Sequence, residues 1–468
     1  MKTDAPVAIF WFRRDLRLED NAGLWNALNS GYRVLPVFIF DTVILDKLEE
    51  RDDRRVSFIH GALVALQQKI AAAGSSLLVL HGTPENALRN LVAEYNVKVL
   101  FANHDYEPYA IDRDRRIGDI LKAEGIAFNT FKDQVIFEKD EVVKADGTPY
   151  TVFTPYSRVW KKTLAEEHTR PYPSEELAGN FLKLKPLSLP SMADIGFQSA
   201  EGLPVASGID AAHARAAGIG TAPGGTPGID PGLFRSPVID TGLIRNYDKT
   251  RDIPSLCGTT RLGVHLRFGT VSIRELVRTA LPLSEIWINE LIWREFFMSI
   301  LWHFPHVTDN SFKKKYDKIT WRNNEQEFER WCSGMTGYPI VDAGMRELNA
   351  TGFMHNRARM ITASFLTKHL LIDWRWGEVY FAGKLLDYEL SSNNGNWQWA
   401  SGTGCDAAPY FRVFNPAEQT RKFDPDLAYI TKWVPEAGTP AYPRMIVEHA
   451  FARERALKTY SEGLREAR

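Results

Sequence analysis

The sequence predicts an α/β domain followed by an all-α domain, and the spacing of apolar residues indicates both. Over residues 1–130, short apolar runs alternate with amphipathic stretches, which is typical of a parallel sheet covered by helices on both faces. From Tyr247 onward the strand pattern disappears, and apolar residues recur at three- and four-residue spacing. We therefore predict an α/β domain over residues 1–130, a connector over residues 131–243 and a helical domain over residues 244–468.

The α/β domain is expected to contain a parallel, Rossmann-like sheet. Its predicted strands are Val7–Phe12, Val34–Phe40, Ser76–Leu80 and Val97–Ala102. The predicted helices between them are Val56–Ala73 and Pro84–Tyr95, with a candidate helix N-cap at Asp20 and Asn21. The loop after the first strand reads FRRDLRLEDN and has no G-x-G-x-x-G, so a standard dinucleotide site is not expected there.

The connector contains a stretch that differs sharply in composition from both domains. Residues 201–242 hold nine Gly and five Pro among 42 residues, so these two residue types make up a third of the stretch. Average usage of Gly and Pro together is about 12%. This composition predicts a flexible linker at the domain boundary.

The helical domain contains ten of the thirteen tryptophans. Its predicted helices are Ser284–Phe304, Glu325–Ser333, Ile340–Thr351, Asn356–Leu371 and Gly377–Leu385. The next segment, Leu385–Gly404, reads LLDYELSSNNGNWQWASGTG. We interpret its Ser-Ser-Asn-Asn-Gly as a turn, with Asn396 in a left-handed conformation, that leads into a Trp-Gln-Trp.

Composition excludes several classes of protein. The net charge of −1 gives no indication of a polyanionic partner, so a nucleic-acid site would have to be a local basic face. Three widely spaced cysteines suit neither a disulfide framework nor a zinc site, and we predict no metal. The N-terminus does not resemble a signal peptide, and no segment approaches the ~20 apolar residues of a membrane span. We therefore expect a cytoplasmic protein.

One helix of the second domain combines an acid with indoles. In SEIWINELIWREF, Glu290, Trp293 and Arg294 fall on one face, with Trp287 one turn earlier. Two interpretations are open. Glu290 and Arg294 form an ion pair among core tryptophans, or the face is a pocket wall that stacks on a heterocycle and hydrogen-bonds it.

Two further stretches combine charges with amides or hydroxyls. In FMHNRARM, Asn356 and Met360 share a helix face, flanked by Arg357 and Arg359. The arginines could bind a carboxylate and a phosphate; the alternative, a solvated basic helix start, is opposed by the helix dipole. The segment Gly258–Arg261 offers amides and hydroxyls to a phosphate, although turn-rich loops often have this composition.

Taken together, these stretches resemble the DNA photolyase/cryptochrome family. The segments that carry the resemblance are FWFRRDLRLEDN, RDIPSLCGTTRLGVHLRFGTVSIREL, NELIWREF, TGYPIVDAGMRELNATGFMHNRARM and DYELSSNNGNWQW. The similarity covers nearly the whole chain except residues 201–242, and MHNRARM with Trp-Gln-Trp is similar to the class I enzymes that repair cyclobutane pyrimidine dimers. The resemblance implies an antenna-type α/β domain and a helical domain that binds FAD. It also implies a light-driven electron transfer from reduced FAD to a dimer flipped out of DNA.

The resemblance also implies residue roles, position by position. The implied cofactor-binding residues are Tyr247, Thr259, Thr260, Arg261, Leu262, Gly263, Trp287, Arg294, Arg359, Asp387, Tyr388, Glu389 and Asn393. The implied dimer and DNA contacts are Arg251, Glu290, Trp293, Asn356, Arg357, Met360, Trp399 and Arg412. The implied catalytic residues are Glu290, Asn393 and the flavin-photoreducing tryptophans Trp397, Trp374 and Trp321.

Within these groups, more specific arrangements are implied. Arg359 and Asp387 pair beside the isoalloxazine, Asn393 faces its N5, Trp397 points inward and Trp399 points outward. Three positions depart from the family pattern, namely Glu389 for Asp, Gly263 for Ser and Asn396 for Gly.

The implied partners and alternatives complete the interpretation. The substrate would be double- or single-stranded DNA that contains pyrimidine dimers, bound by a monomer. Pro108–Ala110 stands where folate-binding relatives have an Asn-Glu pair, so an antenna chromophore would be a deazaflavin, a second flavin or absent. The alternative functions are a cryptochrome-type blue-light photoreceptor without repair activity and a flavin protein without light chemistry.

Overall fold

Five parallel strands form one sheet in the N-terminal part of the chain. The computed structural model describes residues 5–200 and 237–466. The strands are β1 (Pro6–Phe12), β2 (Arg33–Asp41), β3 (Leu78–Gly82), β4 (Asn96–Asn103) and β5 (Ala127–Phe131). Their order across the sheet is β3-β2-β1-β4-β5, so the direction of strand addition switches between β1 and β4. The central strand β1 is buried from its second residue onward because helices cover both faces of such a sheet.

The predicted fold class is therefore confirmed. All four predicted strands are present, and β5 is the strand that the sequence pattern missed. Its sequence, AFNTF, is only partly buried, so it lacks the continuous apolar run that identifies the others.

Seven α-helices accompany the sheet within the described residues of the first compact unit, which are 5–138, 164–200, 237–239 and 261–282. They are Ala22–Leu28, Thr42–Leu45, Arg54–Ala72, Pro84–Glu94, Pro108–Ala123, Gly263–Phe268 and Ile273–Ala280. The predicted N-cap is confirmed at Asn21, whose side chain accepts a hydrogen bond from the backbone N–H of Leu24 at 3.0 Å. The last two helices show that the chain returns to this unit after residue 260, whereas the division at residues 130 and 243 stays a prediction.

The FRRDLRLEDN loop holds a buried ionic network. Arg17 lies 2.7 Å from Asp133, and Arg274 lies 2.8 Å from Asp133 and 2.9 Å from Asp20. Burial by itself would raise the pKa of Asp133, but the two guanidinium groups hold it below its ordinary value. In place of a glycine-rich phosphate loop, this loop anchors sequence-distant segments of the α/β unit.

The second compact unit comprises the described residues 139–163, 240–260 and 283–466. Its α-helices are Phe153–Thr163, Thr241–Arg245, Tyr247–Thr250, Glu285–His303, Glu325–Cys332, Pro339–Thr351, Asn356–Ser364, Trp374–Lys384, Leu390–Ser401, Pro416–Phe423, Ala428–Trp433 and His449–Glu466. The five predicted helices are present, although the one predicted over Asn356–Leu371 changes to a π-helical turn at Phe365–His369. Of the predicted linker, residues 201–236 lie outside the described part of the chain.

The predicted Ser-Ser-Asn-Asn-Gly turn is wrong, because these residues belong to the helix Leu390–Ser401. Two of the polar side chains that suggested a turn have partners in the fold, since Asn393 donates to Glu378 and Asn394 donates to the backbone oxygen of Val307. Asn396 is also helical and donates to the backbone oxygen of Ser392 at 2.8 Å.

Gly395 is explained by close packing rather than by a turn. A Cβ atom at this position would lie 2.1 Å from the ring of Phe297 on the helix Glu285–His303. Gly377 has the same role on the helix Trp374–Lys384, where a Cβ would lie 2.1 Å from the indole of Trp397. The two glycines let the helices approach closely.

Candidate active site

The helix Leu390–Ser401 brings together the helices that carry the predicted site residues. It packs against Glu285–His303, Asn356–Ser364 and Trp374–Lys384. These four helices hold half of the residues to which the sequence assigned a role, and all four belong to the helical unit.

Two arginine–carboxylate pairs lie in this region. Arg359 lies 3.0 Å from Asp387, as the resemblance implied, and its Nε also donates to the backbone oxygen of Met354 at 2.7 Å. Arg294 lies 3.1 Å from Glu389, which is buried, while the Arg294 side chain is 10% exposed. Each arginine is therefore fixed in position by a carboxylate.

One of the two open interpretations of the Glu285–His303 helix, an ion pair between Glu290 and Arg294, does not match the structure. Glu290 instead lies 2.7 Å from Arg251, while Arg294 takes Glu389. Burial raises the pKa of Glu290, although the charge and hydrogen bond of Arg251 oppose the shift. The interpretation as an ion pair between Glu290 and Arg294 is therefore wrong.

Asn393 is buried and hydrogen-bonded to a residue that sequence reasoning missed. Its Nδ2 donates to both the backbone oxygen and Oε1 of Glu378, each at 3.0 Å. A backbone oxygen can only accept, so these bonds fix the orientation of the Asn393 amide. Burial raises the pKa of Glu378 to about 7, against the hydrogen bond from Asn393, which lowers it. The signal that could have identified Glu378 is its position as a lone acid in WRWGEVYF.

The aromatic residues assigned to the dimer differ in their surroundings. The indole of Trp293 stacks on the ring of Phe153, with centroids 3.7 Å apart and planes 3° from parallel. Trp399 is half-buried, whereas Trp397, two residues earlier, is 2% exposed. Their exposures agree with one indole pointing inward and one outward. Phe153 lies in the predicted connector, where no sequence signal indicated it.

The tryptophans assigned to photoreduction belong to one apolar region. Trp397 and Trp374 are buried in the same core cluster, and Trp321 packs against it while contacting Tyr460 at 5.8 Å between ring centroids. The sequence assigned no role to Trp331, whose ring centroid lies 6.1 Å from that of Trp397.

The Arg357 side chain also has a carboxylate partner. Its guanidinium lies 2.5 Å from Asp252 and 4.1 Å from the ring centroid of Phe423. The start of the Asn356–Ser364 helix is therefore not a free basic surface, because Arg357 and Arg359 both bind carboxylates.

The remaining predicted residues are spread over both compact units and differ in exposure. In the α/β unit Arg261 has a positive φ of 51°, Leu262 is buried and Gly263 is exposed. In the helical unit Trp287 is buried, Tyr247, Thr259, Thr260, Met360 and Tyr388 are half-buried, and Asn356 and Arg412 are exposed. The phosphate cradle predicted around residues 258–263 stays a prediction.

The helical unit contains polar atoms suited to a bound cofactor. Ser391 Oγ and Asn289 Oδ1 are buried and have no hydrogen-bond partner among the described residues. Buried polar atoms are rarely left unsatisfied, so such atoms are expected where a ligand completes the site. The helices that carry these atoms and the cations Arg294 and Arg359 pack against Leu390–Ser401 or include it, and their donors and acceptors fit an anionic, nitrogen-rich cofactor such as FAD.

Comparison with known proteins identifies the family. The model of the FAD binding domain of DNA photolyase matches residues 287–441, and that of DNA photolyase matches residues 8–175. The chain is 36% identical to a deoxyribodipyrimidine photo-lyase of Synechococcus sp. over 98% of this chain and 97% of that protein. It is 37% identical to the enzyme of the same name from Halobacterium salinarum, over 97% and 98%.

Solved structures agree. A class III photolyase from Agrobacterium tumefaciens has a TM-score of 0.80 and 32% identity over 99% of both chains. An archaeal photolyase from Sulfolobus tokodaii has a TM-score of 0.80 and 34% identity over 97% of this chain and 99% of that one. A cryptochrome from Synechocystis sp. has a TM-score of 0.80 and 27% identity over 98% and 100%. No helix in the described residues has the length and apolar character needed to cross a membrane. The chain belongs to the DNA photolyase family and is an FAD-binding photo-lyase.

Proposed function

We propose that the protein is a class I photolyase that repairs cyclobutane pyrimidine dimers in DNA. The observation that carries the proposal is the packing of Leu390–Ser401 against three helices, which together hold some of the residues assigned to the cofactor, to the dimer and to the electron path. The class I assignment rests on MHNRARM and Trp-Gln-Trp. The similarity to relatives named deoxyribodipyrimidine photo-lyase supports a pyrimidine dimer as the substrate.

In this proposal the cofactor is held by Arg359, Asp387 and Asn393. Reduced FAD, when bound, supplies the light-excited electron that splits the dimer. Arg359 favours an anionic ring, and Asp387 keeps that guanidinium in place and partly neutralised. Because Glu378 takes both hydrogen bonds of the Asn393 Nδ2, the remaining polar atom, Oδ1, is an acceptor, which suits a protonated flavin N5.

The proposed dimer contacts replace what the bases lose on leaving the duplex. Trp293 and Trp399 offer stacking surfaces worth ~1–3 kcal/mol per base. Glu290 and Asn356 supply directional hydrogen bonds to the pyrimidine edges. A damaged pair leaves the stack at lower cost than an intact one, which favours the lesion. Arginine contacts to phosphates would make the binding sensitive to salt and independent of sequence.

A second chromophore is proposed at the carboxyl edge of the sheet, where ligands of open α/β sheets bind. There the guanidinium groups of Arg13 and Arg113 lie 4.9 and 4.8 Å from the ring centroid of Trp11, and Tyr109 donates to Asp41 at 2.7 Å. The photolyase from Sulfolobus tokodaii contains two FAD molecules, which favours a second flavin here. Chromatography of the chromophores released on denaturation tests this. Two flavins per chain would support a second flavin as the antenna chromophore. One flavin per chain without a deazaflavin would exclude both a second flavin and a deazaflavin.

The decisive experiment measures repair directly. Purified, photoreduced protein is mixed with an oligonucleotide that contains a thymine dimer and illuminated with blue light, with a dark sample as control. We expect restoration of the intact thymines in the light only. If the flavin photoreduces normally and the dimer persists, the repair proposal fails. The cryptochrome-type photoreceptor, favoured by the similarity to the Synechocystis protein, would then replace it.

A Trp399→Ala variant tests the assignment of the dimer platform. Because Trp399 is half-buried and assigned to the lesion rather than to the cofactor, we expect weaker binding of dimer DNA by about 1–3 kcal/mol and normal FAD content. Equilibrium binding to matched damaged and undamaged duplexes measures the effect. Unchanged affinity for the damaged duplex would contradict the assignment.

A further inference from the structure

Two ion pairs occupy arginines that the proposed function assigns to DNA. Arg251 lies 2.7 Å from Glu290, and Arg357 lies 2.5 Å from Asp252. Arg251 and Asp252 are adjacent in sequence, so this short segment supplies the cation of one pair and the anion of the other. The donors are Nη1 of Arg251 and Nη2 of Arg357. An N–H group that donates to a carboxylate is not free to donate to a phosphate at the same time.

The two carboxylates differ in their surroundings. The Asp252 side chain is 49% exposed, so water can solvate it when Arg357 leaves. The Glu290 side chain, on the Glu285–His303 helix beside Trp293, is 34% exposed, and burial already disfavours its charged form. Separation of Arg251 from Glu290 therefore leaves a less exposed carboxylate without its cation, which costs more than the same exchange at Asp252.

We propose that the two ion pairs form an exchange switch, in which phosphates must displace Asp252 from Arg357 and Glu290 from Arg251, and in which Glu290 makes undamaged DNA bind weakly. This inference rests on the proposed function. In a complex with a flipped-out dimer, the pyrimidine N3–H groups donate to Glu290 and replace Arg251. In undamaged DNA the bases stay stacked, so nothing compensates Glu290. Glu290 is thus a specificity-determining residue that acts against the wrong DNA as well as for the lesion.

Affinity for undamaged DNA distinguishes this role from simple contact with the dimer. We expect Glu290→Gln to bind undamaged duplex about two- to fivefold more tightly than wild type, the range of a partly exposed ion pair. The preference for dimer DNA should fall by at least the same factor. Asp252→Asn should bind both duplexes more tightly and leave their ratio unchanged, because its exchange occurs in both complexes.

Matched variants control for the loss of one negative charge. Glu285→Gln changes an exposed acid on the helix that carries Glu290, and Asp248→Asn changes an exposed acid close to Asp252. Their effects on affinity for undamaged duplex at equal salt are subtracted from those of Glu290→Gln and Asp252→Asn. FAD content checks that each variant is folded.

A double-mutant cycle completes the test. In an Arg251→Gln background the exchange no longer exists, so Glu290→Gln should then change affinity for undamaged DNA no more than Glu285→Gln does. The inference is overturned if Glu290→Gln binds undamaged duplex like its control, or if its gain persists in the Arg251→Gln background. Absence of dimer repair by the wild type would contradict the proposed function instead. Failure of the proposed function is thus distinguishable from failure of the exchange switch.

Discussion

Asn393 shows how a single side chain depends on a neighbour that is distant in sequence. Its orientation is set by Glu378, fifteen residues earlier, through two hydrogen bonds of 3.0 Å. The sequence indicated that Asn393 belongs to the site, but an amide can turn either end to a ligand. Only the contact with Glu378 decides which end is free.

Glu378 should give the stability of the protein a measurable pH dependence. Its pKa rises from 4.5 to about 7 on folding because of burial, so between these values the folded protein holds a proton that the unfolded chain has released. Stability due to this group is therefore present below about pH 4.5 and is lost as pH rises towards 7. We expect Glu378→Gln, which stays neutral, to flatten this decline in the free energy of unfolding by urea. The exposed variant Glu285→Gln should keep the wild-type slope, and an unchanged slope in Glu378→Gln would contradict the assignment.

Trp397 and Trp331 allow the proposed electron path to be tested with two buried indoles. Both belong to the same core cluster, but only Trp397 is assigned to the path to Trp374 and Trp321. We expect Trp397→Phe to slow photoreduction of the flavin while pre-reduced enzyme still repairs dimers. Trp331→Phe should photoreduce at close to the wild-type rate. The flavin absorbance, recorded after successive periods of illumination, gives the photoreduction rate of each variant. A normal rate in Trp397→Phe would show that the electron path runs elsewhere.

At the scale of helices, glycines set how closely the site-bearing elements approach. The helix Leu390–Ser401 can pack on Glu285–His303 because Gly395 leaves room for the ring of Phe297. A helix of this composition, with Ser, Asn and Gly in succession, is intrinsically weak. Its formation therefore depends on buried partners such as the Val307 carbonyl rather than on its own propensity.

A Gly395→Ala variant should lower stability through this contact. The added methyl would meet the Phe297 ring at 2.1 Å, and overpacking of this kind costs about 1–3 kcal/mol. Gly383→Ala is the matched control, since beyond its chain neighbours and its own helix backbone the added methyl would meet no described atom within 4 Å, and alanine is the better helix former. Urea unfolding should show a loss for Gly395→Ala and none for Gly383→Ala. Equal stabilities would mean that the helices can separate without cost.

At the scale of the whole molecule, the chain contributes to each compact unit more than once. The α/β unit takes residues 261–282 from beyond the predicted boundary, and the buried network of Asp20, Asp133 and Arg274 fastens them there. Because Asp133 contacts both Arg17 and Arg274, it holds three separate segments of the α/β unit together.

Asp133→Asn should destabilise the α/β unit strongly. It leaves two buried arginines without their shared carboxylate, and a broken buried pair typically costs about 3–5 kcal/mol. The pKa of Asp133 is lowered on folding, so its contribution is present above the ordinary carboxyl pKa of 3.8 and is lost as pH falls through the depressed value. The difference between wild type and variant in free energy of unfolding should therefore shrink in strong acid. Asp112→Asn, which removes an exposed partner of Arg115 and Arg116, should cost no more than about 1 kcal/mol.

The sequence by itself determined the fold class, most element positions and the family. Periodic apolar spacing reports burial locally, and the segments that carry the resemblance are contiguous, so both can be read without the fold. What only the tertiary structure decided are the partners. Glu290 pairs with Arg251 rather than with Arg294, Trp293 stacks on Phe153, and SSNNG is helical. These choices depend on which distant groups come within a few ångströms of one another, because a charge or an amide binds whatever partner the packing brings to it and local sequence carries no record of that distance.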